Sequence, residues 1–555
     1  MNGWSALGRL AIATCVSIAF ASGPVRAFAD APPAPAATAD PSAQPPAGIV
    51  PTKATLTQVL ALYDASSGSL PKGTTTSREV DAITAYGESG TYTELDSGDD
   101  FIETTRLGPT TTASGTYHGQ QWRQNENGYT RSVSGVHGEE ARSDQALSRA
   151  IKGENLGSVR LLGEVATPEH AYVVEVNPSA GRHEWLFIET ATGRLFRREE
   201  SRLGHRIVWT YDDFRTTDGL TTPWHQHLFD GFAGNDVDWR TSQLSYGGPV
   251  APSELAIPPT RSPLHFPAGV THVRLPARIE NGSIIVRLSV NGRGLDFKLD
   301  SGTSGIALDA GVADQLGLKR FGESTHTVAG TFEAANTIVP EMRIGDLALD
   351  DVSISAIPFN YQQDRDTKVV GLLGYDFLAG AVIKVDYYDG TVDAYDPKSF
   401  VPPSGTVYPL PLKLDDAVPV VSASLGETGG NDFIIDTGST LVVLFQGFAQ
   451  KHAAELPALS YTIANKTYYP LVTAEGVGGL FELQPATVKH FVAGASLDDF
   501  RVYDIVDSVA DFQGEDQNGL IGYQFLRYFD VYFDYNDSLV LLQPNPRLAQ
   551  YKQSM

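Results

Sequence analysis

The sequence predicts a mainly β protein, with an antiparallel sheet and a helix first and two copies of one β lobe after it. Three observations predict this. Residues 171–224 alternate short apolar runs with Gly- and Asp-centred turns. The run Asp300-Ser301-Gly302-Thr303-Ser304 recurs as Asp436-Thr437-Gly438-Ser439-Thr440, each time at the end of an apolar strand. The segments that flank the two runs also echo each other, which is the mark of an internal duplication.

The 555 residues exceed one domain, at a soft norm of ~150 residues each. At 42% hydrophobic and 19% charged, the composition is globular rather than disordered. A net charge of −25 argues against nucleic acid and anionic lipid as partners of a broad basic face. Residues 1–29 read as an export signal. Arg9 precedes the apolar stretch Leu10–Ala21, Gly23-Pro24 breaks it, and Ala27-Phe28-Ala29 offers small residues for cleavage after Ala29. The stretch is shorter than the ~20 residues that span a bilayer. The expectation is a periplasmic or secreted product with no integral membrane segment once the signal is cleaved. Cleavage also removes Cys15, the single cysteine, and leaves 39 basic against 66 acidic residues, a net −27. Disulfides, a thiolate nucleophile and Cys-based zinc sites are thereby excluded from the mature chain.

Residues 30–50 are Ala- and Pro-rich, a linker composition, and a second proline-rich stretch at 249–271 is read as a domain boundary. Between them, residues 51–248 open with a predicted helix over Leu56–Tyr63, where Leu56, Val59, Leu60 and Tyr63 share a face. Strands follow at 171–176, 184–189, 194–199 and 207–211, with Thr192-Gly193 and Asp218-Gly219 as turns. His225 and His227 lie two apart, on one strand face, and no third metal ligand accompanies them. The run Glu189–Leu195, then Tyr211-Asp212-Asp213-Phe214, Asp218-Gly219-Leu220 and Pro223, and His118-Gly119 before Trp122 and Asn127-Gly128 resemble the periplasmic lipoprotein-carrier and sigma-regulator half-barrels. That resemblance implies an N-terminal antiparallel half-barrel whose concave sheet can take a lipid or peptide ligand. A structural or substrate-presenting domain is the alternative, since a fold does not fix a function.

The duplication covers residues 272–402 and 403–547. Pro276 and Pro411 stand 24 and 25 residues before the two aspartates. Gly330-Thr331-Phe332-Glu333 is echoed by Gly479-Leu480-Phe481-Glu482, and Gly371-Leu372-Leu373-Gly374-Tyr375 by Gly519-Leu520-Ile521-Gly522-Tyr523. The offset is 136 at the aspartates and 148 at the last motif, so the second copy carries an insertion around 460–471. Asn291-Gly292 predicts a hairpin turn, and Asp309 can cap a short helix bearing Val312 and Leu316. Gly330, Gly478 and Gly479 are the candidate tips of hairpins over a cleft.

These motifs resemble the aspartic peptidases, and the retropepsin type more than the pepsins. Retropepsins pair one such turn from each of two subunits; here two acid-protease-type lobes on one chain would supply both. The resemblance implies Asp300 and Asp436 as the catalytic pair. It implies Ser301 and Thr437 as cross-braces between the turns, with Gly302 and Gly438 allowing close approach. It also implies Thr303 and Ser439 as hydrogen-bond partners of the carboxyls, and Gly371–Gly374 and Gly519–Gly522 as packing behind the turns. The chemistry needs two copies. Carboxyls a few ångströms apart share a proton, so the ionised one activates water and the protonated one holds the substrate carbonyl. From sequence, neither aspartate can be assigned the base. The reading is an exported aspartic-type endopeptidase acting on protein or peptide, with no cofactor and no metal. The alternative is a non-catalytic carrier or binding protein for acyl chains or peptides.

Overall fold

The computed structural model describes residues 21–28, 41–133, 135–154, 156–166, 169–179, 181–202, 205–327, 331–359, 368–415, 417–426, 428–463, 466–476, 479–505 and 517–554. Cys15, the cleavage position after Ala29, and the flap candidates Gly330 and Gly478 lie outside them. The protein is mainly β and divides into two compact units. One is Ala39–Arg261 with Phe321–Thr325; the other holds Ser262–Arg320 and His326–Met555, together with the strand Ala21–Phe28. The division at Arg261 falls inside the proline-rich stretch 249–271.

The first unit is an open antiparallel sheet of 13 strands. Two meanders, from Thr76 to Ser132 and from Val159 to Tyr246, meet where Thr76–Ala85 pairs with Val237–Tyr246. Helix α1 spans Leu56–Ser67. Thr55 caps it by accepting from the Gln58 N–H, while the Gln58 side chain accepts from the Thr55 N–H. Helix α2, Gly135–Ile151, runs from the last strand of one meander towards the first of the other. Both helices pack on one sheet face. Val59 and Leu60 of α1 and Leu147 and Ala150 of α2 share a core with Val174, Leu186, Trp209 and Trp239. This is the half-barrel with its helix, plus a second helix and five strands between Thr76 and Gln124 that the sequence reading does not assign.

Beneath α2 lies a buried charge cluster. Arg182 donates to Glu200 at 2.6 Å and Arg198 to Glu184 at 2.7 Å, with Glu140 and Asp144 of α2 also facing the two guanidiniums. Four carboxyls meet two arginines in this cluster. Desolvation raises buried Glu184 to about 8 and Asp144, which keeps 25% of its side chain exposed, to about 6.

In the second unit the two Asp-containing turns sit in matching strand pairings. Arg293–Leu299 pairs antiparallel with Ser283–Val290 and parallel with Val369–Leu373, which in turn pairs with Ile306–Asp309. Thr428–Ile435 pairs in the same way with Val418–Leu425 and Gly519–Ile521, and the latter with Val442–Leu444. The short helix Ala310–Gln315 follows the first turn and is capped by Asp309. The two lobes share a six-stranded sheet, three strands from each, joined at its centre by Val382–Asp386 against Phe529–Asp534. One apolar core runs through both lobes. Strands Lys466–Gly476 and Gly479–Ala493 form a hairpin in which Gly476 faces Gly479. Ala21–Phe28, which the sequence reading puts in a cleavable segment, lies antiparallel along Lys466–Gly476, with Val25 opposite Val472.

Candidate active site

Asp300 and Asp436 each end an apolar strand, and the parallel neighbour holds each in place. The Asp300 N–H donates to the Leu373 carbonyl and the Asp436 N–H to that of Ile521, both at 3.1 Å. The next residue in each turn reaches across to the other lobe. The Ser301 hydroxyl accepts from the Thr437 N–H at 3.0 Å and donates to the Ile435 carbonyl at 2.6 Å. The Thr437 hydroxyl accepts from the Ser301 N–H at 3.0 Å and donates to the Leu299 carbonyl at 2.9 Å. All four bonds are buried, so the two turns are locked together about a pseudo-twofold axis.

The glycines explain how close the turns come. A Cβ on Gly302 would lie 2.9 Å from the Asp436 carboxyl carbon, and one on Gly438 would lie 2.2 Å from Asp300 Oδ2. The space that any side chain would take here is filled by the opposite carboxyl. The Gly302 N–H donates to Asp300 at 3.1 Å and the Gly438 N–H to Asp436 at 2.7 Å. Behind the turns, Gly374 and Gly522 admit the backbone carbonyls of Thr303 and Leu441, each 2.4 Å from where a Cβ would sit.

Asp300 is 0% and Asp436 1% exposed, and each carboxyl lies against the glycine of the opposite turn, with its Oδ2 buried and unbonded. Burial raises both. Asp436 is held well above the carboxylate range, because the neighbouring Asp300 charge adds to burial. The Lys298 charge draws Asp300 back down. Carboxyls held this close titrate as a pair rather than singly.

Two expected contacts are not made. The Ser439 hydroxyl bonds the Leu441 backbone, donating to its carbonyl at 3.0 Å, rather than the Asp436 carboxyl. The Thr303 hydroxyl, expected to bond the Asp300 carboxyl, is buried without a hydrogen-bond partner. The two histidines face carboxylates. His225 is held between Asp212 and Asp238, at 2.8 and 2.6 Å, His227 approaches Asp236, and no metal-binding cluster occurs among the described residues.

Two features of the site escape the sequence reading. Lys298, two residues before Asp300, is 8% exposed and donates to the Gly438 carbonyl of the other lobe. Its counterpart in the second copy is Ile434. Paired tyrosines also flank the aspartates. Tyr387 packs on Tyr523 with ring centroids at 5.5 Å, and Tyr535 on Tyr375 at 5.7 Å. The motif offset of 148 relates 375 to 523 and 387 to 535, so each lobe lends one ring to each pair.

The sequence model of a family described as Aspartyl protease matches residues 286–377, which include the first turn and the Gly371–Gly374 segment. No curated protein sequence matches the chain. Among solved structures, a DUF1329 family protein from Desulfovibrio piger is 14% identical and covers 36% of this chain and 95% of its own, with a TM-score of 0.27. A LolA superfamily protein from Nitrosomonas europaea is 14% identical over 37% and 98%, with a TM-score of 0.28. A putative outer membrane lipoprotein-sorting protein domain from Vibrio parahaemolyticus is 13% identical over 36% and 95%, with a TM-score of 0.27. Likeness at this level says nothing about activity.

Proposed function

We propose that the chain is an exported aspartic-type endopeptidase that hydrolyses peptide bonds with water activated between Asp300 and Asp436. The observation that carries this reading is the reciprocal brace: two buried carboxyls in facing turns, each turn clamped by the other lobe's hydroxyl. A structural turn needs neither the duplication nor the burial. In the reaction, the ionised carboxylate takes a proton from water as its oxygen attacks the scissile carbonyl. The protonated partner donates to the carbonyl oxygen as the tetrahedral diol forms. Collapse transfers a proton to the leaving amine and restores the shared-proton pair.

The carrier reading has weaker support, because the sheet face that a ligand would need is packed by Val59, Leu60, Tyr63, Leu147 and Ala150. The test is cleavage of an unfolded protein across pH. Wild type should cut, while Asp300→Asn and Asp436→Asn should each lose at least ~10³-fold in kcat, the scale on which catalytic groups act as a unit. Undiminished cleavage by either variant would falsify the assignment.

A further inference from the structure

Lys298 breaks the symmetry of the site. It sits in the apolar strand Arg293–Leu299 between Phe297 and Leu299, and its side chain shares a strand face with Asp300. The ammonium crosses to the other lobe and donates to the Gly438 carbonyl. Gly438 is also the residue whose α-carbon the Asp300 carboxyl abuts. The ammonium and the Asp300 carboxyl therefore both lie against Gly438. A buried ammonium without a counter-charge is costly, so its presence here needs an anion beside it.

The other groups around it do not supply that anion. On its own strand, the Asp296 carboxylate is already taken by Arg278 and Arg287, at 3.0 and 2.9 Å. The neighbouring strands place uncharged Ile285 and Leu372 opposite it. Tyr387 and Tyr535 lie near the aspartates with their phenols held neutral by burial. Among the described residues, Asp300 and Asp436 are left.

We propose that Lys298 is a positioning residue that makes Asp300 the ionised general base and leaves the shared proton on Asp436. This rests on the peptidase reading for its role but not for its measurement. Burial pulls the ammonium below the ordinary lysine range while both aspartates pull it up, as expected of a cation paired within the site. With Lys298 charged, the working state (one carboxylate, one carboxylic acid, one ammonium) is electrically neutral. A bare pair would carry a buried net negative charge. The cation therefore extends the singly ionised state to lower pH.

The test replaces Lys298 by Met, of similar length and no charge, and by Arg, which keeps the charge. The carboxyl ¹³C resonances of Asp300 and Asp436, assigned with the two Asn variants, are titrated in each protein. Cleavage is measured over the same pH range. In Lys298→Met the Asp300 titration should rise by about 1–3 pH units, the effect of a charge within ~4–6 Å. The acid limb of kcat should rise with it, and KM should change little. Lys298→Arg should restore the acid limb. A profile that falls in height with unmoved limbs, or an Asp300 titration unchanged in a folded Lys298→Met, overturns the proposal. If Lys298→Met does not fold, Lys298→Arg decides: a titration that differs from wild type by more than ~1 unit rejects a charge-based role. A shifted titration in a protein that cuts nothing supports Lys298 and removes the peptidase reading.

Discussion

Thr437→Val takes one hydroxyl from the brace and keeps the side-chain shape. Two buried groups then lose their partners, the Ser301 N–H and the Leu299 carbonyl, bonded in the native protein at 3.0 and 2.9 Å. A buried donor or acceptor left unsatisfied costs about 1–3 kcal/mol, so the sum is about 2–6 kcal/mol. Ser301→Ala is the mirror experiment, orphaning the Thr437 N–H and the Ile435 carbonyl. The two hydroxyls do not bond each other, and they hold the same pair of turns. Once one brace is gone the turns can relax, so the double variant should cost less than the sum of the singles, by about 0.5–3 kcal/mol. The assay is urea unfolding of the second unit, followed by tyrosine absorbance or hydrogen exchange at the Asp300 and Asp436 amides, with activity measured in parallel. Activity should fall further than stability, because a 1 Å misplacement of reacting groups can cost ~10²-fold in rate. Additive stability losses under ~0.5 kcal/mol each would refute the claim that these bonds hold the turns together.

Two further expectations follow from the geometry and charge. Gly438→Ala should abolish cleavage, since the new Cβ would lie 2.2 Å from Asp300 Oδ2; Gly447→Ala, where nothing lies within 4 Å, is the control and should leave kcat unchanged. In the first unit, desolvation pushes the Glu184 carboxyl up to about 8 and that of Asp144, a quarter of whose side chain is exposed, up to about 6. The unfolded chain releases both near pH 4, so the folded state binds more protons, and stability is greatest at acid pH and lost as pH rises through 6 to 8. All tryptophans beyond Trp4 (Trp122, Trp185, Trp209, Trp224 and Trp239) belong to this unit, so tryptophan fluorescence reads its urea midpoint alone. A midpoint that rises between pH 5 and 9 would contradict the raised titration of these two carboxyls.

Where hydrophobic period and turn chemistry agree, the sequence is readable. Ala171–Val176 forms the expected strand to the residue, because Val173, Val174 and Val176 are all buried. Helix α1 starts at Leu56, where Thr55 and Gln58 form the capping box, and runs four residues past the apolar face to Ser67. The strands from Thr76 to Gln124 are harder to see. They are built from Thr, Ser, Gly and acids, and their buried face includes Asp81, Glu94, Asp96 and Glu103, so polarity does not alternate. Helix α2 hides for the same reason, since Glu140 and Ser143 occupy its inward side beside Leu147. In the site, the aspartates and their braces are legible because the motif occurs twice. Lys298 is missed because a duplicated pattern directs attention to what the copies share, and its signal is a difference, a charge where the second copy has Ile434.

That difference gives the single chain a meaning beyond convenience. When two identical subunits build a site, every substitution appears twice, and a lysine at this position would bring two ammoniums to one pair of carboxyls. Covalent linkage of the lobes lifts that constraint. A residue can then be tried on one side of the axis alone, and the two halves are free to diverge into an acid and a base with separate inherited histories.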